Sequence, residues 1–310
     1  MSGGTTDTQH SYYRREPIIG RPALRWPGEA RLAFAIVISA EHYEMRPPEG
    51  AFIPPNVPGG FGRGPYPDFR AYTARAYGNR VGIFRLIELL DRFHLPATVA
   101  VDAQTATACR ALIEQIRSRP WEIAAHGQSV TRVISSRMSA DEERDYIRST
   151  LATIETHCGV RPAGWHGPEY GESPRTVELL AEVGLRYVLD WPNDEQPYWM
   201  TSAAGEIVSL PMAIDLDDVF SHFHRKIPMA RWCQCLTESV DRLLEDGEHS
   251  GRVLVLNLHP WLIGHPFRIS HLEDALGSVK ARKGVWFATA GEIAEWWRSQ
   301  RTVTGFEAPP

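Results

Sequence analysis

Glu41 and His42 close an unbroken apolar run, and two such side chains leaving a buried segment together could supply a proton acceptor, a proton donor or metal ligands. The run, LAFAIVISA over 32–40, lacks the alternation of a half-buried strand. That is the pattern of a strand covered on both faces of a parallel sheet. Chemistry-bearing residues recur where other short apolar runs stop: Asp102, His126, Trp165-His166, Asp190-Trp191 and His259. Any one of these reads equally well as a turn or cap residue. As a set they predict one site, because all strand C-termini of a (β/α) barrel open on the same face and catalytic groups come from several of them.

The elements that would carry these residues are legible from periodicity and punctuation. Asn79 can cap a helix whose apolar positions are Val81, Phe84, Leu86, Ile87, Leu90 and Phe93, and Pro96 then introduces a strand over 97–101. A helix near 103–117 leads to a short strand over 122–126. Ser139 and Glu142 form a capping-box pair ahead of Tyr146, Ile147, Thr150, Leu151 and Ile154, and a strand over 162–165 follows. Ser173-Pro174 opens the next helix, Gly184 closes it, and 187–190 returns as a strand. Further strands are expected over 207–212, 253–259 and 285–289, with helices near 228–244, 271–280 and 291–299. Strands alternating with helices at this rhythm predict a parallel α/β fold with right-handed crossovers.

At 310 residues the chain can bury one large core, which predicts an arm over 1–25, a single domain over 26–300 and a tail over 301–310. The segment 43–78, crowded with proline and glycine, reads as a long loop: a lid or binding loop, or an insertion used for subunit contacts. A net charge of −5 without long charge blocks gives no reason to expect nucleic acid or a membrane surface as partner. Cys109, Cys158, Cys233 and Cys235 are too few and too irregular for a disulfide framework, so reduced thiols and a cytoplasmic location are expected. Neither an apolar leader nor a membrane-length apolar run is read in the chain.

Several blocks, in order, carry a family resemblance. They are Trp26-Pro27 with ARLAFAIVISAEH, YGNRVGIFRLIELLDRF with LPAT, WEIAAHG, RPAGWHGP, SPRTVELLAEVG with YVLDW, NLHPWLIGHPFR and GVWFATAGEIAEWW. Over about 26–298 the chain resembles the polysaccharide deacetylase superfamily, with the NodB-homology fold. It is most similar to the intracellular branch that contains metal-independent allantoinases and cyclic imide hydrolases. The resemblance implies a distorted (β/α) barrel of about seven parallel strands, hydrolysis of non-peptide C–N bonds, and a homo-oligomer, commonly a tetramer. Metal-dependent members pair two acids after the first strand, one as base and one as ligand, and add a His-x-x-x-His motif. Glu41 stands at the acid position with His42 beside it, and His126 matches the first histidine, but the fourth residue on is Val130. Valine cannot coordinate, and catalytic metal sites need about three protein ligands. Two arrangements stay open: no metal, or a divalent metal such as zinc on Glu41, His42 and His126, with His166 as a further candidate.

In the metal-free arrangement Glu41, its basicity raised by desolvation, activates water, and His259 protonates the departing nitrogen or polarises the oxyanion. His126 orients the water or donates to the oxyanion. Cyclic amides and imides suit this scheme, since their nitrogen leaves more readily. Trp165, Trp191, Tyr198 and Trp261 are candidate pocket walls for a flat ring. His42 and Asp190 are candidate substrate contacts, and Arg161 and Arg268 could bind a substrate carboxylate. Asp215, Asp217 and Asp218 read as an exposed loop or an acidic patch of the site, and His222 and His224 as surface or interface. Alternatives to an imide hydrolase are a metal-dependent carbohydrate N-deacetylase and an inactive ligand-binding barrel.

Overall fold

A computed structural model describes residues 12–52 and 66–300. Among them nine strands form one sheet: β1 (Leu32–Ala40), β2 (Thr98–Val101), β3 (Glu122–Ala125), β4 (Gly164–Trp165), β5 (Tyr187–Val188), β6 (Tyr198–Ser202), β7 (Gly205–Ser209), β8 (Arg252–Leu258) and β9 (Val285–Phe287). The spatial order is β6-β7-β5-β4-β3-β2-β1-β8, with β9 also paired to β1. From β7 to β8 every neighbouring pair is parallel, giving seven parallel strands in a row. The sheet curls into a distorted barrel, as the alternation of strands and helices predicts. Its opening, between β8 and the β6–β7 end, is bridged by isolated backbone bonds: Ala213 N–H to Val255 O at 3.0 Å and Val253 N–H to Glu195 O at 2.8 Å.

All nine residues of β1 are buried, because both its edges and both its faces are covered. Along one edge β8 pairs from Leu32↔Arg252 to Ile38↔Leu258. The other edge is shared, with β9 beside Leu32–Phe34 and β2 beside Val37–Ala40. Side chains alternate across the strand: Phe34, Ile36 and Ile38 pack into the layer toward the helices, whereas Ala33, Ala35 and Val37 face the barrel interior cluster. Burying both faces demands apolar residues throughout, and this is why the run shows no alternation.

β7 overlaps the strand expected over 207–212, but its antiparallel partner β6, paired from Tyr198↔Ser209 to Ser202↔Gly205, is an element that the reading of the sequence does not include. The loop reading of 43–78 is also corrected in part. Residues 53–65 lie outside the described residues, but Phe69–Tyr77 is a helix, capped by Asp68, whose carboxylate accepts from Ala71 N–H. Asn79 therefore caps nothing. The helix passes into a wide π turn, Gly78–Gly82, and continues as Ile83–Phe93. Tyr12, Tyr13 and Arg21 of the arm lie against this chain's own 191–199 segment, with Tyr13 against Tyr198 and Arg21 paired to Asp194 at 2.5 Å, and Leu24 bonds Ser250 and Gly251. The capping box of Ser139 and Glu142 opens the helix Ala140–Cys158 with both reciprocal bonds present. Among the described residues no helix is long and apolar enough to cross a membrane.

The π turn must lie directly against the segment that follows β8, and glycine allows it. A Cβ on Gly82 would stand 2.1 Å from Pro260 O, and one on Gly78 would stand 2.8 Å from Trp261 N. Replacing a helical glycine by alanine ordinarily stabilises by roughly 0.5–1 kcal/mol. Gly82→Ala is expected to do the reverse and to lower stability by about 1–3 kcal/mol, the cost of overpacking against backbone. Urea unfolding checks this, and an unchanged or raised midpoint would refute the packing described.

Candidate active site

Glu41 follows β1 directly and its side chain is almost fully buried. Its two carboxylate oxygens face different groups. Oε2 accepts from Arg75 Nη1 at 3.1 Å and from Trp261 Nε1 at 3.3 Å. Oε1 lies 3.5 Å from His126 Nε2 and 3.6 Å from His259 Nε2. The carbonyl of Glu41 accepts from the Asn79 side-chain amide at 2.8 Å, so the π turn holds the backbone of the residue at the centre of the site.

Each histidine is fixed by a partner behind it. Asp218 holds His259 twice, accepting from its backbone N–H at 2.9 Å and from Nδ1–H at 2.6 Å. Beside it, Asp217 accepts from Val219 N–H, Phe220 N–H, Asn257 Nδ2–H and Tyr170 O–H. Asn257 in turn accepts from the Ser39 hydroxyl at 2.8 Å, tying β8 to β1 across the sheet. His126 Nδ1 donates to the carbonyl of His166 at 2.6 Å. A carbonyl only accepts, so Nδ1 carries a proton, and Nε2 is turned toward Glu41 Oε1. His166 stacks on His126 at 4.7 Å, and its Nδ1 meets Asp190 Oδ1 at 2.9 Å.

The charges follow from this packing. Burial pushes the Glu41 carboxyl up, but the His259 cation, the His126 hydrogen bond and the Arg75 guanidinium outweigh it and hold the group at about 2. The desolvation that was expected to raise its basicity is present but does not win. Burial pushes His259 down, and the carboxylates of Asp218, Asp217 and Glu41 outweigh that, raising it to about 10. At neutral pH a carboxylate therefore faces an imidazolium. His166, held well below its ordinary range by burial and by the neighbouring His126 and His259, stays neutral. Glu169 and Tyr170 follow in left-handed backbone, φ +54° and +58°, a strained pair beside the site that brings the Tyr170 hydroxyl to Asp217.

The metal set of Glu41, His42 and His126 does not fit a divalent cation. Among the described residues their ligand atoms do not gather within 4.8 Å of one another, as those of Asp217, Asp218 and His259 do. Val130 is fully buried and offers no ligand atom. Arg75 occupies the flank of Glu41, and a dication there would be repelled by it and by protonated His259. In the cluster of Asp217, Asp218 and His259, hydrogen bonds from this chain already engage both oxygens of each carboxylate.

Of the other candidates, Trp261 contacts Glu41 directly and Asp190 supports His166 and Gly167 N–H. Trp165 is fully buried in the core, and Trp191 packs against Tyr12 and Tyr13 of the arm. Tyr198 bonds Asn193 in the same region. Arg161 is placed on the surface, paired to Glu155 at 3.1 Å, which separates it from the site. Arg268 donates to Leu262 O at 3.0 Å, supporting the turn after β8. Asp215 is exposed and paired to Arg225, whereas Asp217 and Asp218 are buried within the site. His222 donates from Nδ1 to Ile227 O at 2.8 Å and lies in a π turn, Phe220–His224. Arg75, Asn79, Asn257 and Tyr170 join the site without having been singled out for it. Asn257 did carry a signal, as a polar residue inside the apolar run VLVLNL.

Comparisons with known proteins agree with this architecture. Residues 77–188 match the family model for polysaccharide deacetylase. A peptidoglycan deacetylase of Helicobacter pylori is 29% identical over 251 residues, covering 71% of this chain and 84% of its own. A crystal structure of PuuE allantoinase superposes with a TM-score of 0.81 at 23% identity, over 97% of this chain and all (100%) of the other. A structure described as a probable polysaccharide deacetylase from Pseudomonas aeruginosa PAO1 gives 0.78 at 25% identity, over 93% and 99% of the two chains.

Proposed function

We propose that the chain is a C–N hydrolase of the polysaccharide deacetylase superfamily that opens a small cyclic amide or imide without a catalytic metal. The observation that carries this reading is the division of labour on Glu41. One oxygen is held by Arg75 and Trp261, and the other lies between two imidazole Nε2 atoms, within about the span of one bridging water.

In the proposed reaction a water beside His126 Nε2 donates a hydrogen to Glu41 Oε1, and its oxygen attacks the substrate carbonyl carbon. Glu41 takes that proton as the C–O bond forms. His259 passes its Nε2 proton to the ring nitrogen as the C–N bond breaks, leaving a carboxylic acid and a freed N–H. The depressed basicity of Glu41 suits this sequence. When His259 gives up its proton, the cation that stabilised the Glu41 carboxylate disappears, and Glu41 becomes the better proton holder at that moment. Transfer of that proton to His259 then restores both groups. A ring imide nitrogen leaves with less assistance than an acyclic amide nitrogen, which suits a site where protein cations replace a Lewis acid.

The second reading, carbohydrate N-deacetylation, is favoured by the 29% identity to the H. pylori peptidoglycan deacetylase. One assay separates them: hydrolysis of succinimide, dihydrouracil, hydantoin, allantoin and an N-acetylglucosamine oligomer, each with and without a strong chelator. Ring opening with rates unchanged by the chelator is expected. Acetate release that the chelator abolishes would establish the deacetylase instead.

A further inference from the structure

The geometry points to Arg75 as the resident cation of this site, receiving the substrate carbonyl oxygen as it becomes an oxyanion. The inference rests on the metal-free ring-opening reading. It goes beyond it by giving the electrophile a residue. Arg75 sits one turn before Gly78 on the helix Phe69–Tyr77, and only 6% of it is exposed. Nη1 meets Glu41 Oε2 at 3.1 Å, the guanidinium lies 4.2 Å over the Trp261 ring, and Tyr43 is at 5.8 Å. Aromatic faces thus replace part of the water a buried cation loses.

A guanidinium has five N–H donors and keeps its charge when buried. Among the described residues Glu41 is the one hydrogen-bond acceptor that this guanidinium finds, so donors remain for a substrate oxygen. They flank the carboxylate that activates the water, so a carbonyl carbon attacked from the Oε1 side can direct its oxygen at Arg75. Val130, four residues after His126, offers no metal ligand, so the cation beside Glu41 is one the protein itself supplies. A purely structural clamp on Glu41 would need the Nη1 contact alone.

The test uses Arg75→Ala, Arg75→Lys, Val130→His and the Arg75→Ala/Val130→His double variant of the full chain, with circular dichroism to establish folding. With a ring substrate, Arg75→Ala is expected to lose about 10²–10³-fold in kcat, as for removal of an oxyanion donor, with KM changed by less than about threefold. Added guanidinium should restore kcat at least about tenfold, and ammonium should not, because only the planar fork serves both Glu41 and the oxyanion. A folded Arg75→Ala enzyme within about tenfold of wild-type kcat would overturn the inference. If Arg75→Ala does not fold, Arg75→Lys decides: a fall of at least about tenfold supports the fork, and unchanged kcat overturns it. If the wild-type enzyme opens no ring, the functional reading has failed and zinc titration judges Arg75 separately. Zinc bound by the double variant but not by Val130→His alone places Arg75 in the cation position, and equal binding by both removes it.

Discussion

Glu41→Gln is expected to bind a ring substrate within a few-fold of wild-type affinity and to turn it over about 10³–10⁴-fold more slowly. The amide keeps the shape of the carboxylate, and its oxygen can still accept from Arg75 or Trp261, so the pocket should survive. What it loses is the ability to take a proton from water. It also removes one of the carboxylates that hold His259 at about 10, so His259 keeps its proton less firmly in the same variant. The two losses act on one transition state, and combining Glu41→Gln with a His259 substitution should therefore cost much less than the product of the single effects. Calorimetric binding alongside steady-state rates separates the outcomes. Turnover within about tenfold of wild type would take Glu41 out of the mechanism and with it the role assigned to the bridging water.

The centre of the site was legible in the sequence because β-sheet physics puts it there. A doubly covered parallel strand must be apolar to its end, so Glu41 after Ala40, His126 after Ala125 and His259 after Leu258 stand out by contrast with the runs before them. The residues that set their chemistry were not legible in this way. Arg75 lies in a helix read as loop, where an arginine between alanines has no apolar run to contradict it. Asn79 has the position of a helix cap, and only the π turn shows its amide spent on Glu41. Asp217 and Asp218 lie in a loop, where acidic residues are ordinarily solvated, and their burial depends on Asn257 and Tyr170 from distant segments. The sign of the Glu41 shift failed for the same reason. Desolvation is a property of one residue at the end of one strand, whereas the opposing charges come from three other parts of the chain.

Asp218→Asn tests whether one of those distant charges sets the working range. In wild type Glu41 is ionised above about 2 and His259 is protonated below about 10, so activity that needs both is expected to hold across neutral pH and to fall as pH rises through about 10. His259 is buried, which by itself pushes it below its ordinary 6.5, and Asp218 is the largest of the interactions that raise it. Asparagine keeps a hydrogen bond to Nδ1–H but not the charge. The alkaline limb of kcat/KM should therefore move down toward 6.5, and the rate at pH 8 should fall by about 10–100-fold while the rate at the acid end changes far less. Stability must move with the same sign. A group whose folded pKa is raised stabilises the fold fully below its unfolded value and loses that contribution as pH rises through its folded value. The stability gap between wild type and Asp218→Asn is accordingly expected to be widest below about 6.5, on the order of a few kcal/mol, and to narrow toward pH 10. An alkaline limb that stays in place would show that the ionisation controlling turnover is not that of His259. A limb that shifts without the matching change in the pH dependence of unfolding would locate the coupling in the substrate complex and not in the folded enzyme.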